Sequence, residues 1–285
     1  MRRILILLSF IAAPIISAAA TEQAYWAFQP LTPVKVPTEA ANPWARNAID
    51  HFILKNARKS QLSPNASAPR NSLIRRAYFD LIGLAPSRRE VEEFTANSSP
   101  GAYHQLVSEL LSSPHYGERW GRHWLDVARF GESHGYESDN ERPTAWTYRD
   151  AVIRALNEDM PFDRFTQWQV AGDSLKGDDA LAQALTGFLT AGSTVTNVDG
   201  VDREKAIYDK MDDIVSATGA AFLGLTIGCA RCHDHKYDPI SQNEFYRLFA
   251  FFNAVPERGG GNMEPTIKVP SPEQAAKIKQ LETML

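Results

Sequence analysis

Only two of the 285 residues are cysteine, which excludes the multi-disulfide framework that small exported domains rely on. Long apolar runs are just as scarce. Beyond the first twenty residues, nothing approaches the roughly 20 apolar positions a spanning helix needs. No segment of strand length alternates apolar and polar residues, so a sheet is not expected. Repeats and low-complexity tracts are absent. Nor does one charge dominate, with 30 Lys and Arg against 34 Asp and Glu. A mildly acidic chain with scattered charge argues against nucleic acid or an anionic membrane as a partner.

The two cysteines are not scattered. They stand in Cys229-Ala230-Arg231-Cys232-His233, the Cys-x-x-Cys-His pattern at which exported proteins attach haem. The thiols add to the haem vinyl groups as thioethers, and the imidazole that follows takes an axial position on iron. Two cysteines placed at random in this composition would fall so, with His next, about twice in ten thousand trials. With both thiols committed, no disulfide is available, and the core must supply stability.

The amino terminus fits that chemistry. Met1-Arg2-Arg3 is a short basic start, Ile4 to Ile16 is almost wholly apolar, and Ser17-Ala18-Ala19-Ala20 supplies small residues in an Ala-x-Ala arrangement. Residues 1–20 therefore read as a secretory signal peptide cut before Thr21. The protein is expected outside the cytoplasmic membrane, in the periplasm or beyond it. Cutting there removes Arg2 and Arg3 and leaves 28 basic against 34 acidic residues, a net charge of −6. N-terminal sequencing of exported material should read Thr21 first; residues 1–20 retained in the membrane would contradict this.

Residues 21–44, with Pro30, Pro33, Pro37 and Pro43, read as an extended strap. From Ala45 the apolar spacing turns helical. Helices are expected at about 45–60, over Leu73–Leu81 with a stop at Gly83, and from a Ser87–Glu90 capping box onward. Further amphipathic stretches cover 101–112, 116–130, 144–158, 161–170, 178–190, 203–226 and 241–253. The fold class is all-α, an irregular multi-helix domain over 45–256 around the haem attachment site. Residues 257–285 read as a Gly- and Pro-rich break followed by the polar start of another helix. It stops without a cap, as the front part of a longer chain would.

A second axial ligand has to be sought elsewhere. Trp120, His123, Val127 and Phe130 recur at steps of three, four and three, so His123 is expected on an apolar face, with Asp126 within reach of its second nitrogen. His235 is too close to His233 to cross the ring and is expected near a haem propionate or behind the proximal ligand. His134 and His115 sit in loop-like settings, and Met211 and Met263 offer thioethers. Gly224 and Gly228 would let backbone approach a flat porphyrin, or simply end a helix. The acidic run Glu132 to Glu141 matches no EF-hand loop, and Lys210-Met211-Asp212-Asp213 reads first as helix-surface ion pairs.

Several long segments together resemble a known family: Trp26 to Pro30, Leu73 to Leu84, Ser113 to Phe130, Asn157 to Asp163 and Gly224 to Ile240. They are similar to the planctomycete secreted cytochrome-like domain of unknown function, over about residues 25–253. The resemblance implies attachment at Cys229 and Cys232, His233 as proximal ligand, His123 as first choice for the distal side, and a second uncharacterised domain after this one. It implies no reaction.

Three functions remain in view. One is an exported c-type cytochrome module, carrying one covalent haem c per chain and passing electrons to a redox partner protein. Another is a haem enzyme with an open sixth position, acting on a peroxide, oxygen species or carbohydrate-derived substrate. The last is a scaffold in which Cys229, Cys232, His235 and a further residue hold zinc. A thioredoxin-type role lacks its βαβ setting.

Overall fold

The computed structural model describes residues 29–37, 43–135, 139–193, 202–253, 268 and 270–284. Residues 1–20 and Met263 lie outside these, as does most of the 257–270 break. The chain divides into two compact units, residues 1–67 and 68–285. In the first, residues 30–37 carry no regular structure. Helix α1, Ala48–Lys59, opens on a capping box in which Asn47 and Asp50 each accept from the other's backbone N–H.

The second unit holds ten helices among the described residues: α2 (Arg70–Leu81), α3 (Arg88–Ala96), α4 (Ala102–Leu111), α5 (Pro114–Val127), α6 (Trp146–Asn157), α7 (Phe162–Leu175), α8 (Ala180–Leu185), α9 (Arg203–Thr218), α10 (Gln242–Phe252) and α11 (Pro272–Met284). The described residues contain no strand, only one isolated bridge between Ser133 and Glu141. The all-α expectation therefore holds. So do the capping boxes at Ser87–Glu90 and Ser241–Glu244. No described helix is long and apolar enough to cross a membrane.

Three apolar clusters organise the unit. Ile74, Ala77 and Tyr78 of α2 pack with Phe94 of α3 and with Leu106 and Leu110 of α4. A central cluster gathers Tyr148, Val152, Phe165, Leu185 and Phe188, with Trp124 and Phe222 against it. The third joins Met211, Ile214 and Val215 of α9 to Ile227, Ala230 and the α10 phenylalanines 245, 249 and 252. Between α5 and α6 the approach is close. A Cβ on Gly121 would meet Ile153 Cγ1 at 3.1 Å, and the Gly117 N–H donates to Asn157 Oδ1 at 2.7 Å.

Two arginines replace a sheet edge as the partner of a bare backbone stretch. Arg129 donates to the carbonyls of Ala128, Phe188 and Leu189, and Arg142 to those of Gly131, Thr190, Ala191 and Gly192. Buried carbonyls need such partners when no ladder supplies them.

Candidate functional site

The Cys-x-x-Cys-His pattern sits where three different turns meet. After α9 the chain widens into a π turn, Gly219–Leu223, closed by Gly224 in the left-handed region at φ 65°. That conformation suits glycine, and nothing lies within 4 Å of where its Cβ would be. The widened turn carries Phe222 inward, its centroid 5.0 Å from Phe188 and 5.5 Å from Trp124. Leu223, by contrast, is exposed. Gly228 has ordinary helix packing: a Cβ there would lie 3.1 Å from Ser216 Oγ of α9.

Residues Ile227–Arg231 form a 3₁₀ turn with Cys232 as its cap, and the Cys232 N–H points to the Cys229 carbonyl at 3.4 Å. In a 3₁₀ helix residues three apart eclipse one another. Ile227 and Ala230 are thereby buried together against α9 and α10, at 4% and 0% exposure. Cys229 and Cys232 fall together on the exposed side, both as free thiols. The spacing of three that fills the core also leaves both cysteines on the exposed side.

Arg231, between the cysteines, anchors the turn. Its guanidinium donates to Asp212 Oδ2 and Asp209 Oδ1, both at 3.0 Å. Its carbonyl accepts from Gln242 Nε2 at 3.0 Å and Tyr246 Oη at 3.1 Å. The bond to Asp209 raises the guanidinium above its ordinary range, while Lys205 and then Arg231 hold the Asp209 carboxyl below its own. Asp212 Oδ1 is buried with no partner, so Arg231 is what neutralises this carboxylate. Arg231→Ala should destabilise the fold by about 1–3 kcal/mol, as expected when a partly buried acceptor loses its donor. Urea unfolding checks this; an unchanged midpoint would contradict it.

His233 is exposed, and its Nδ1 lies 2.8 Å from the Asp234 carbonyl. A carbonyl can only accept, so Nδ1 carries a proton, and in the neutral ring the lone pair is on Nε2. That is the nitrogen a metal would take, with the ring orientation fixed from behind. Asp234 Oδ1 in turn accepts from the Gln242 N–H at 2.8 Å.

His235 has a different job. Its side chain is only 6% exposed, and its Nδ1 accepts from the backbone N–H groups of Asp238 at 2.9 Å and Tyr237 at 3.3 Å. It shapes the 235–240 turn, which closes with the His235 N–H donating to the Ile240 carbonyl. Among the described residues no three His, Cys, Asp or Glu side chains converge as a metal site would require.

His123 stands apart from this segment, on α5. It is exposed rather than buried, and the face it shares with Trp120 and Val127 points outward, at 41% and 48% exposure for those two. The inward face of α5 is Gly117, Gly121, Trp124 and Ala128. The expectation of an awkwardly buried imidazole is therefore corrected. The ring lies against Trp120 at 5.6 Å, and no bond joins it to Asp126. Helix α5 reaches the motif region through Trp124 on Phe222 and through Arg129, whose Nε donates to Asp213 at 2.7 Å. Asp212 and Asp213 thus form two separate pairs, one with the motif turn and one with the end of α5.

Met211 is 2% exposed in the core beneath the motif. His115 lies in the first turn of α5, not in a loop, with Nδ1 at 2.7 Å from Glu118. His134 is buried at 8%, its Nδ1 unpartnered. Burial, and then the charges of Arg142 and Lys210, push its pKa down.

A profile for the family described as PSCyt2, "Protein of unknown function (DUF1549)", matches residues 48–257. No curated protein and no solved structure matches the chain.

Proposed function

The chain belongs to the PSCyt2 family of proteins of unknown function, so its role has to be read from its own residues, and we propose that it is an exported c-type cytochrome module that relays electrons outside the cytoplasmic membrane. One observation carries the reading: two exposed free thiols three residues apart on the side opposite buried Ile227 and Ala230, followed by an imidazole whose Nδ1 is turned to the Asp234 carbonyl. Cys229 and Cys232 would hold haem c, and His233 would supply the proximal nitrogen. Bound haem supplies one-electron chemistry. The chain's part is to fix the two sulfurs through Arg231, Gln242 and Tyr246, and to orient His233 through Asp234. His235 belongs to the frame of the turn.

His123 would be the second imidazole to hold the haem, as the family resemblance implies. Its ring is exposed and free of hydrogen-bond partners, on a stripe with Trp120 and Val127 of the kind that calls for an apolar cover. Protein matured with haem-attachment machinery should give a low-spin absorption spectrum. His123→Ala should turn it high-spin while the haem stays covalently bound. A low-spin spectrum that survives the substitution removes His123 from this role. A high-spin spectrum in the unmutated protein would make His123 an acid–base group beside an open position, and the enzyme reading would then take precedence. The module's partner would be a redox protein.

A further inference from the structure

Away from the motif, a cleft of about 430 Å³ opens between the end of α2 and the middle of α5. Its walls include Phe79 and Asp80 of α2, Gly83 beyond the helix end, and Glu118, Arg119 and Arg122 of α5. Arginines elsewhere that are partly buried are saturated. Arg70, Arg129, Arg142 and Arg231 each donate to two or more oxygens. The cleft departs from that pattern. Arg119 is half-buried, with its Nε shut away from water and no partner for it among the described residues, and Arg122, one turn on, is exposed to solvent and meets no ion pair or hydrogen bond among the described residues.

Leaving a charged donor desolvated and unpaired is costly, and placing a second like charge three residues away adds repulsion. The arrangement is also held rather than accidental. Gly83 sits at φ 72°, and a Cβ there would lie 2.8 Å from Arg119 Cδ. The glycine both makes the left-handed turn and leaves room for the arginine stem to pass. The Arg119 stem is thereby held against the turn after α2, with its Nε at the cleft wall, and a side chain positioned beforehand lowers the cost of binding.

The two carboxylates of the cleft do not satisfy these cations. Glu118 is engaged by His115 Nδ1 at 2.7 Å. Asp80 is exposed and makes no ion pair among the described residues. Two forked guanidinium groups present parallel N–H donors, which match the oxygens of a carboxylate or a tetrahedral oxyanion. We propose that this cleft is a binding site for an oxyanion with a hydroxyl beside it, clamped by Arg119 and Arg122, with Asp80 accepting from the hydroxyl and Phe79 as an apolar wall. The site is independent of the haem reading.

The test is titration of the full chain, ¹⁵N-labelled at arginine, with glycolate and with glycerol 2-phosphate, following the side-chain Nε–H signals by NMR. Saturable movement of the Arg119 and Arg122 signals with either probe is the expected result. The probe that saturates at the lower concentration tells a carboxylate source from a phosphate-ester one. Arg119→Gln with Arg122→Gln should weaken binding about tenfold or more. Gly83→Ala, which keeps every charge, should also weaken it by displacing Arg119. Shifts that rise linearly with both probes, or saturable binding that the folded double variant leaves unchanged, would overturn the proposal.

Discussion

Replacing Cys229 and Cys232 together by alanine should abolish covalent haem entirely while barely disturbing the apoprotein. Both thiols are exposed and bonded to nothing, and surface substitutions of that kind change stability by about 0.5 kcal/mol or less. The turn itself is held by Ile227 and Ala230 in the core and by the bonds to Arg231. Haem staining after denaturing electrophoresis should vanish in the double variant, while circular dichroism of the apoprotein should match that of unmutated apoprotein. Staining that survives the double substitution would mean that the thiols are not the attachment points. Loss of the fold would mean that the cysteines serve structure instead.

Phe188→Ala should have the largest effect on stability. The side chain is fully buried, with its ring 5.0 Å from Phe222 and 6.1 Å from Trp124 and the Arg129 guanidinium carbon 5.7 Å from its centroid. Truncating a buried phenylalanine costs about 3–5 kcal/mol through lost transfer energy and the cavity left behind. The consequence reaches the candidate site, because Phe222 belongs to the π turn that delivers the chain to Ile227 and the cysteines. Urea unfolding of the apoprotein measures the loss. A change below about 1 kcal/mol would show that the core closes over the cavity, and that Phe188 does not brace the turn.

The helices were legible because their apolar spacing and caps are local properties. Ser87–Glu90 and Ser241–Glu244 announce helix starts within four residues, and both boxes form. The stop after α2 was legible too, since Gly83 takes the left-handed conformation that glycine favours. The orientation of α5 was not. Its bulky apolar side chains, Trp120 and Val127, face outward, and its inward face is built partly from Gly117, Gly121 and Ala128. Those small residues carry little weight in a hydrophobic pattern, yet they permit the close approach to α6. A periodicity reading therefore turned His123 inward, whereas the fold turns it out.

Long-range pairings were equally hidden. Arg129 meets Asp213 across 84 residues, and Arg142 reaches the 190–192 carbonyls across about fifty. The adjacent aspartates at 212 and 213 hinted at ion pairs, but not at one for the motif turn and one for α5. For His233 the pattern pointed to the residue, while only the Asp234 carbonyl at 2.8 Å distinguishes its two nitrogens. His134 gave no sign of burial, because its surroundings come from distant segments. The unpartnered Arg119 was invisible for the same reason: an absent partner can be seen only once every neighbour has been placed.

The most direct test of the central claim is the intact mass of the protein, produced with haem-attachment machinery and unfolded before measurement. The account predicts a mass increased by one haem, with fragment mapping placing the addition on the peptide that contains Cys229 and Cys232. A mass equal to the polypeptide alone, from cells that load a control cytochrome in parallel, would contradict it.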